Sequence, residues 1–277
     1  MPKRYRLVPI TDVHCGLKLA PMPPKFVEHP GSIYEAIHRP NKTQKFLNKL
    51  MDKARKEAMN GEYDELIVCL LGDEVHGTAR GYEIWTGSPI AQADAYLEVV
   101  RPWLAGAKRV YMINGTKWHM GDDGTIEDYI AREVGAYKRQ CFHKLSITLG
   151  NTRVALQHKG PSIGTRAWTR ENSMFHHLKD MSIQAMQTGK EPADLYLYGH
   201  FHTFLPGVLN AKGPWGYKLV KGYVLPAWCA PGEYALSNVR NLELADVGMV
   251  YFDIEGDSIT EHPIIHDWDA VERVRHE

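Results

Sequence analysis

The chain reads as an α/β protein in which two mixed β-sheets pack on each other and are flanked by helices. Three observations predict this. Strand-like and helix-like runs alternate as far as Val134. After that the pattern changes to short runs separated by tight-turn residues. The residues of greatest chemical interest fall at or just after strand-like runs, where α/β proteins place their chemistry.

Tyr5 to Thr11 reads as the first strand. A proline-containing loop, Pro21 to Pro40, follows as the longest irregular stretch. It reads as an insertion at about 18–40 in one domain spanning 1–277, placed to act as a lid. A helix is predicted from about Lys42 to Asn60. Asn41 with Gln44 resembles a capping box, Phe46, Leu47, Leu50, Met51 and Ala54 form the apolar stripe, and Gly61 stops it. Glu65 to Leu71 is apolar at its centre, as a strand buried on both faces should be. Ser88 is the natural N-cap and Pro89 the first residue of a helix to about Leu104. Val110 to Ile113 makes the next strand and Thr125 to Val134 a further helix.

Leu145 to Leu149 and Arg153 to His158 flank the turn signal Gly150-Asn151. A helix from about Thr169 to Gln187 precedes the strand Leu195 to Tyr198. Thr203 to Leu209, Tyr217 to Leu225, Val247 to Ile254 and Ser258 to Pro263 read as antiparallel strands, with Gly256-Asp257 as a tight turn. There is no internal repeat and no low-complexity segment.

At 277 residues and 44% hydrophobic, the chain can bury a sizeable core. Lys+Arg and Asp+Glu balance at 33 each, which argues against tight binding to long duplex DNA or an anionic membrane. Cys15, Cys69, Cys141 and Cys229 lack Cys-x-x-Cys spacing and read as reduced structural thiols. No segment approaches the length of a membrane span and the start lacks a leader pattern, so a cytoplasmic location is expected.

Six candidate metal ligands appear in order: Asp12 and His14 in Thr-Asp-Val-His, Asp73 in Leu-Gly-Asp, His158, then His200 and His202 in Gly-His-Phe-His. Each short piece is weak alone; their order and their places at strand ends carry the signal. His143, His176 and His177 compete with His158, the last two lying on a predicted helix where they read as a solvated or packing pair.

On these residues the chain resembles the calcineurin-like metallophosphoesterases, a family marked by Asp-x-His, Gly-Asp, Gly-Asn-His, a later lone His and Gly-His-x-His. The match covers roughly residues 5 to 205. The resemblance implies a four-layer sandwich in which Asp12, His14 and His202 hold one divalent ion, His158 and His200 hold the other, and Asp73 bridges them. Two dications about 4 Å apart need such a shared carboxylate to offset their repulsion. It also implies hydrolysis of a phosphate ester through attack by a metal-bridging hydroxide. Mn²⁺ is favoured, Fe or Zn also suits the ligands, and Mg²⁺ suits a histidine-rich site less well.

One motif departs from the family, since Ile113-Asn114-Gly115-Thr116-Lys117-Trp118-His119 stands where Gly-Asn-His is usual. Alignment on Gly115 puts Thr116 at the metal-binding amide, whereas Asn114, two residues away, offers the better oxygen donor and is favoured. His119 is the histidine left to serve as the leaving-group acid. This Gly-Thr-x-x-His form resembles a divergent, bacteriophage-type branch.

His76 lies close enough to Asp73 in sequence to touch substrate, or it packs behind the site. Lys117, Lys159, Arg166 and Arg170 could bind phosphate, while Trp85, Trp118 and Trp168 could stack on a base. A phosphodiester, in a nucleotide or single-stranded nucleic acid, is therefore favoured as substrate. The alternatives are a phosphomonoesterase or protein phosphatase, and a non-catalytic binding scaffold on the same fold.

Overall fold

The computed structural model describes residues 2–78, 83–121, 124–162, 170–232 and 244–269. β1 (Arg4–Ile10) is followed by a small hairpin of β2 (Phe26–Glu28) and β3 (Ala36–His38), then α1 (Lys42–Ala58), β4 (Glu65–Leu70), α2 (Pro89–Leu104) and β5 (Ala107–Met112). A four-residue helix α3 (Lys117–Met120) and α4 (Thr125–Glu133) lead to β6 (Leu145–Leu149) and β7 (Thr152–Lys159). α5 (Arg170–Gln187), β8 (Leu195–Gly199), β9 (Leu205–Gly213), β10 (Gly216–Val224), β11 (Leu244–Glu255) and β12 (Ser258–Asp269) follow, and a 3-10 turn, Tyr137–Arg139, lies between α4 and β6.

Two five-stranded mixed sheets result, in the orders β12-β11-β1-β4-β5 and β6-β7-β8-β10-β9. In the first, β1, β4 and β5 run parallel, and β11 returns antiparallel beside β1. In the second, β7, β8 and β10 run parallel, while the later runs pair with one another antiparallel as read, β9 with β10 and β11 with β12. Successive strand residues point to opposite faces, and this sorts the core. Val8 and Ile10 of β1 pack with α1, α2 and α4, while Leu7 points to the other side. There it joins Ile67, Leu156, Leu197, Tyr223 and Phe252 between the sheets. Met174 and Leu178 of α5 cover Tyr196, Tyr198 and Val220 on the far face of the second sheet. The layers are thus helix, sheet, sheet and helix.

The local signals act as read. Asn41 Oδ1 accepts from the Gln44 N–H at 2.9 Å and Gln44 Oε1 accepts from the Asn41 N–H at 3.0 Å, closing the capping box of α1. Ser88 Oγ accepts from the Ala91 N–H at 3.2 Å to start α2. Gly150-Asn151 links β6 to β7, with Gly150 at φ 60°.

Other boundaries move. The insertion is not irregular throughout, because it carries the β2–β3 hairpin. It packs through Asn48 on Met22, Thr86 on Glu28, and Trp85 against Phe26 and His38. β12 runs six residues past Pro263, which an edge strand tolerates because the absent N–H costs no ladder bond. No described helix is long and apolar enough to cross a membrane. All four cysteines are free thiols.

Candidate metal centre

The site forms where strands from both sheets end. Asp12 and His14 follow β1, Asp73 follows β4, and the segment Asn114 to His119 follows β5. His158 lies near the end of β7, and His200 and His202 follow β8. Backbone bonds hold the first two loops together: the Asp12 N–H donates to Gly72 O at 3.1 Å and the His14 N–H to Asp73 O at 3.0 Å.

The backbone itself is unusual here. Eight non-glycine residues among those described have positive φ, and five of them are Asp12 (51°), His14 (49°), Asp73 (53°), His200 (74°) and His202 (49°). Left-handed backbone costs a side-chain-bearing residue about 1–3 kcal/mol, and such strain collects where function requires it. Close approach accounts for one neighbouring glycine. A Cβ on Gly199 would strike Thr11 Oγ1 and Asp12 Oδ2, so only glycine lets β8 press against the loop after β1.

Asp12 is fully buried. Its Oδ2 accepts from the Thr11 hydroxyl at 2.6 Å and the His200 N–H at 2.8 Å, yet its Oδ1 has no hydrogen-bond partner. Around that oxygen stand His202 Nε2 at 3.2 Å, His14 Nε2 at 3.7 Å and His158 Nε2 at 3.9 Å. His158 donates its Nδ1–H to Leu71 O at 2.6 Å, because a carbonyl only accepts. Its buried Nε2 has no aligned hydrogen bond, although Asp73 Oδ2 is 3.1 Å away. A buried carboxylate oxygen with no hydrogen-bond partner, faced by ring nitrogens of three histidines, is a ligand set for a cation.

The donors fit such ions chemically. Asp12, His14 and Asp73 bring one potential ligand atom each within 4.8 Å of one another, as do Asp73, His158 and His200. Asp73 belongs to both groups. Carboxylate oxygen with imidazole nitrogen suits Mn, Fe or Zn.

Charge follows the same geometry. Burial opposes ionisation of Asp12, but His158, His202 and His14 hold its carboxyl well below the usual carboxylate range. Burial likewise opposes Asp73, while His158 and then His14 bring it to about 2. His14 is pushed down to about 4 by burial and by neighbouring His119. His158 is raised to about 9 against its burial, by Asp12 and Asp73.

The segment after β5 gives the two candidate oxygen donors different partners. The Asn114 amide Nδ2 donates to Glu127 Oε2 at 2.7 Å. Thr116 instead meets the central carboxylate: its N–H lies 2.6 Å from Asp73 Oδ1, and its hydroxyl 3.0 and 3.1 Å from Oδ1 and Oδ2. His119 donates Nδ1–H to His76 O at 2.9 Å, and its ring centroid is 4.4 Å from that of His14. His76 is buried beside both, with ring centroids 5.6 Å from His14 and 4.8 Å from His119.

Of the remaining candidates, Lys117 and Trp118 are exposed on α3, Trp118 at 69%. Trp85 is packed against Phe26 and His38, which occupies it structurally. Lys159 is exposed at the end of β7. Arg166 and Trp168 lie outside the described residues. His177 bonds Tyr198 Oη at 2.7 Å and so packs α5 onto β8.

Three participants carried no sequence signal. Cys229 Sγ lies 3.6 Å from His202 Nδ1. Gln92, fully buried in α2, accepts from the N–H groups of His76 and Gly77 at 3.2 and 2.8 Å. Glu127 accepts from Asn114 and Gly115. Gln92 and Glu127 are ordinary residues for their helices, and only distant partners mark all three.

No protein-family model and no curated protein matches the chain. Among solved structures it is similar to a predicted phosphoesterase from Streptococcus pneumoniae, at 11% identity over 97% of this chain and 99% of that one, with TM-score 0.38. It is similar to Vps29 of Entamoeba histolytica complexed with zinc, at 13% identity over 95% and 98% of the two chains, with TM-score 0.36. A 5'-nucleotidase precursor from Thermus thermophilus matches at 12% identity over 95% of this chain and 55% of that one, with TM-score 0.42. At these identities the likeness assigns no role to any residue here.

Proposed function

We propose that the chain is a dinuclear metal-dependent phosphoesterase acting on a phosphodiester, with a nucleotide or single-stranded nucleic acid as the substrate class. One observation carries this: ligand atoms from both sheets converge on a buried Asp12 Oδ1 that has no hydrogen-bond partner, and Asp73 is common to two candidate groups. Asp12, His14 and His202 would hold one ion, and His158 and His200 the other, with Asp73 between. Two such cations, when bound, supply charge for the phosphoryl oxygens and acidify water.

The chain's own residues do the rest. Thr116 fixes the orientation of the Asp73 carboxylate through its N–H and hydroxyl. His119, anchored at Nδ1 by His76 O, keeps Nε2 for passing a proton to the departing oxygen. Trp118, exposed between Lys117 and His119, supports a base-bearing substrate because it offers a bare aromatic face next to the site. The test is a screen of phosphomonoesters, phosphodiesters, nucleotides and single-stranded nucleic acid with Mn²⁺. Release of alcohol or nucleotide from diesters supports the reading, monoester turnover alone overturns the substrate class, and inactivity on every ester overturns the enzyme.

A further inference from the structure

Two consecutive backbone N–H groups after β5 donate to two different carboxylates. Gly115 N–H goes to Glu127 Oε1 at 2.8 Å, and Thr116 N–H goes to Asp73 Oδ1 at 2.6 Å. Glu127 also takes the Asn114 amide on its other oxygen, Oε2, at 2.7 Å. It sits in the first turn of α4, where an acid ordinarily faces solvent and the helix dipole, yet it is 5% exposed. A buried carboxylate that spends each oxygen on one short loop fixes that loop's position.

Space on the other side is equally tight. A Cβ on Gly115 would overlap the backbone nitrogen and Oδ1 of Asp73, so the loop cannot shift toward the carboxylate without collision. Glu127 prevents it from shifting away. The outcome is one setting of Thr116, whose hydroxyl reaches both oxygens of Asp73.

We propose that Glu127 is a positioning residue for the metal centre: by clamping Asn114 and Gly115 it sets Thr116 against Asp73 and thereby fixes how that carboxylate faces the cations. This rests on the metal-dependent reading of the site given above. Only a carboxylate serves, because it accepts from both donors; the glutamine amide has one acceptor oxygen and would set its own NH₂ against a donor.

Calorimetric titration with Mn²⁺ tests this without reference to turnover. Glu127→Gln is expected to weaken Mn²⁺ binding roughly 10–100-fold, the usual effect of losing a group that orients a ligand. The melting temperature of the metal-free protein should stay within a few degrees of wild type. Glu127 acts through Thr116, so Thr116→Val alone should weaken binding, and adding Glu127→Gln to it should cost little more. Wild-type affinity in Glu127→Gln, or full additivity of the two changes, overturns the proposal. Glu127→Asp, which keeps the charge on a shorter arm, carries the same comparison if the glutamine variant does not fold. A wild-type chain that binds Mn²⁺ but cleaves no ester refutes the hydrolase reading and leaves the Glu127 comparison standing; one that binds no Mn²⁺ refutes both.

Discussion

His14 Nε2 lies 3.1 Å from His202 Nε2, and Asp12 Oδ1 lies 3.2 Å from that same His202 atom. The two rings can share at most one proton between those nitrogens, whereas a divalent cation uses both lone pairs and the carboxylate together. Folding should therefore be coupled to metal. At Mn²⁺ near 100 times its dissociation constant the native state gains about 2.7 kcal/mol. For a chain of this size that is a rise of roughly 5–10 °C in melting temperature. Scanning calorimetry with Mn²⁺ and then with a chelator measures it. A melting temperature indifferent to both, at saturating concentrations, removes the cation from the site.

Asp73 belongs to two candidate ligand groups and lies 3.1 Å from His158 through Oδ2. Asp73→Asn keeps the shape and removes the charge that would offset two dications. Hydrolysis should fall below detection and bound metal should drop, as elemental analysis of the purified variant would show. Near wild-type turnover with unchanged metal content would rule out a dinuclear centre.

His119 gives a test by leaving group. With Nδ1 occupied by His76 O, only Nε2 can deliver a proton to the departing oxygen. His119→Ala should slow alkyl diesters, whose alkoxide needs that proton, by roughly 10²-fold or more. Nitrophenyl esters, whose leaving group hardly needs one, should be nearly unaffected. Equal losses on the two substrates would instead give His119 a binding or ligand role, in line with its grouping beside His14 and His76.

Stability away from the site rests heavily on Arg6, which is 5% exposed. Its guanidinium donates to Asp253 at 2.6 and 3.3 Å, to Ala58 O at 2.6 Å and to Asn60 O at 2.8 Å. It also stands 4.9 and 4.8 Å from the ring centroids of Tyr63 and Tyr251. A lysine is a point charge and cannot reproduce a planar fork held between two rings. Arg6→Lys should therefore cost on the order of 2–3 kcal/mol, the scale of losing charge-assisted hydrogen bonds at a buried site. Urea unfolding would show this as a lower midpoint, and a midpoint unchanged from wild type would contradict it.

What the sequence revealed follows from the range of each signal. β1 and β4 were readable because a buried parallel strand is a run of apolar residues, and α1 and α2 because Asn41 and Ser88 cap them within three residues. The β2–β3 hairpin escaped because three-residue strands show no period, and β12 was cut short at Pro263, an acceptable residue only once its edge position is known. The metal-ligand candidates were visible as residue types at strand ends. Glu127 and Gln92 looked like ordinary helix residues, since their roles depend on bonds formed 12 to 16 residues away in sequence.

Asn114 and Thr116, the two candidate neutral donors, meet different carboxylates, so their substitutions have separable effects. An amide oxygen is the better ligand for a hard or borderline cation, which favours Asn114 from sequence. In the structure the Asn114 amide nitrogen is committed to Glu127, while the Thr116 hydroxyl touches both oxygens of Asp73. Thr116→Ala should therefore raise the Mn²⁺ concentration needed for half-maximal activity by roughly tenfold or more, through loss of a group that orients the shared carboxylate. Asn114→Ala should shift it less, because Glu127 keeps its bond to the Gly115 N–H. Metal titrations of the two variants decide the matter: a larger shift in Asn114→Ala would place the amide in the metal shell. A crystal structure with Mn²⁺ would then show its oxygen within about 2.0–2.4 Å of an ion, the first-shell range for oxygen donors.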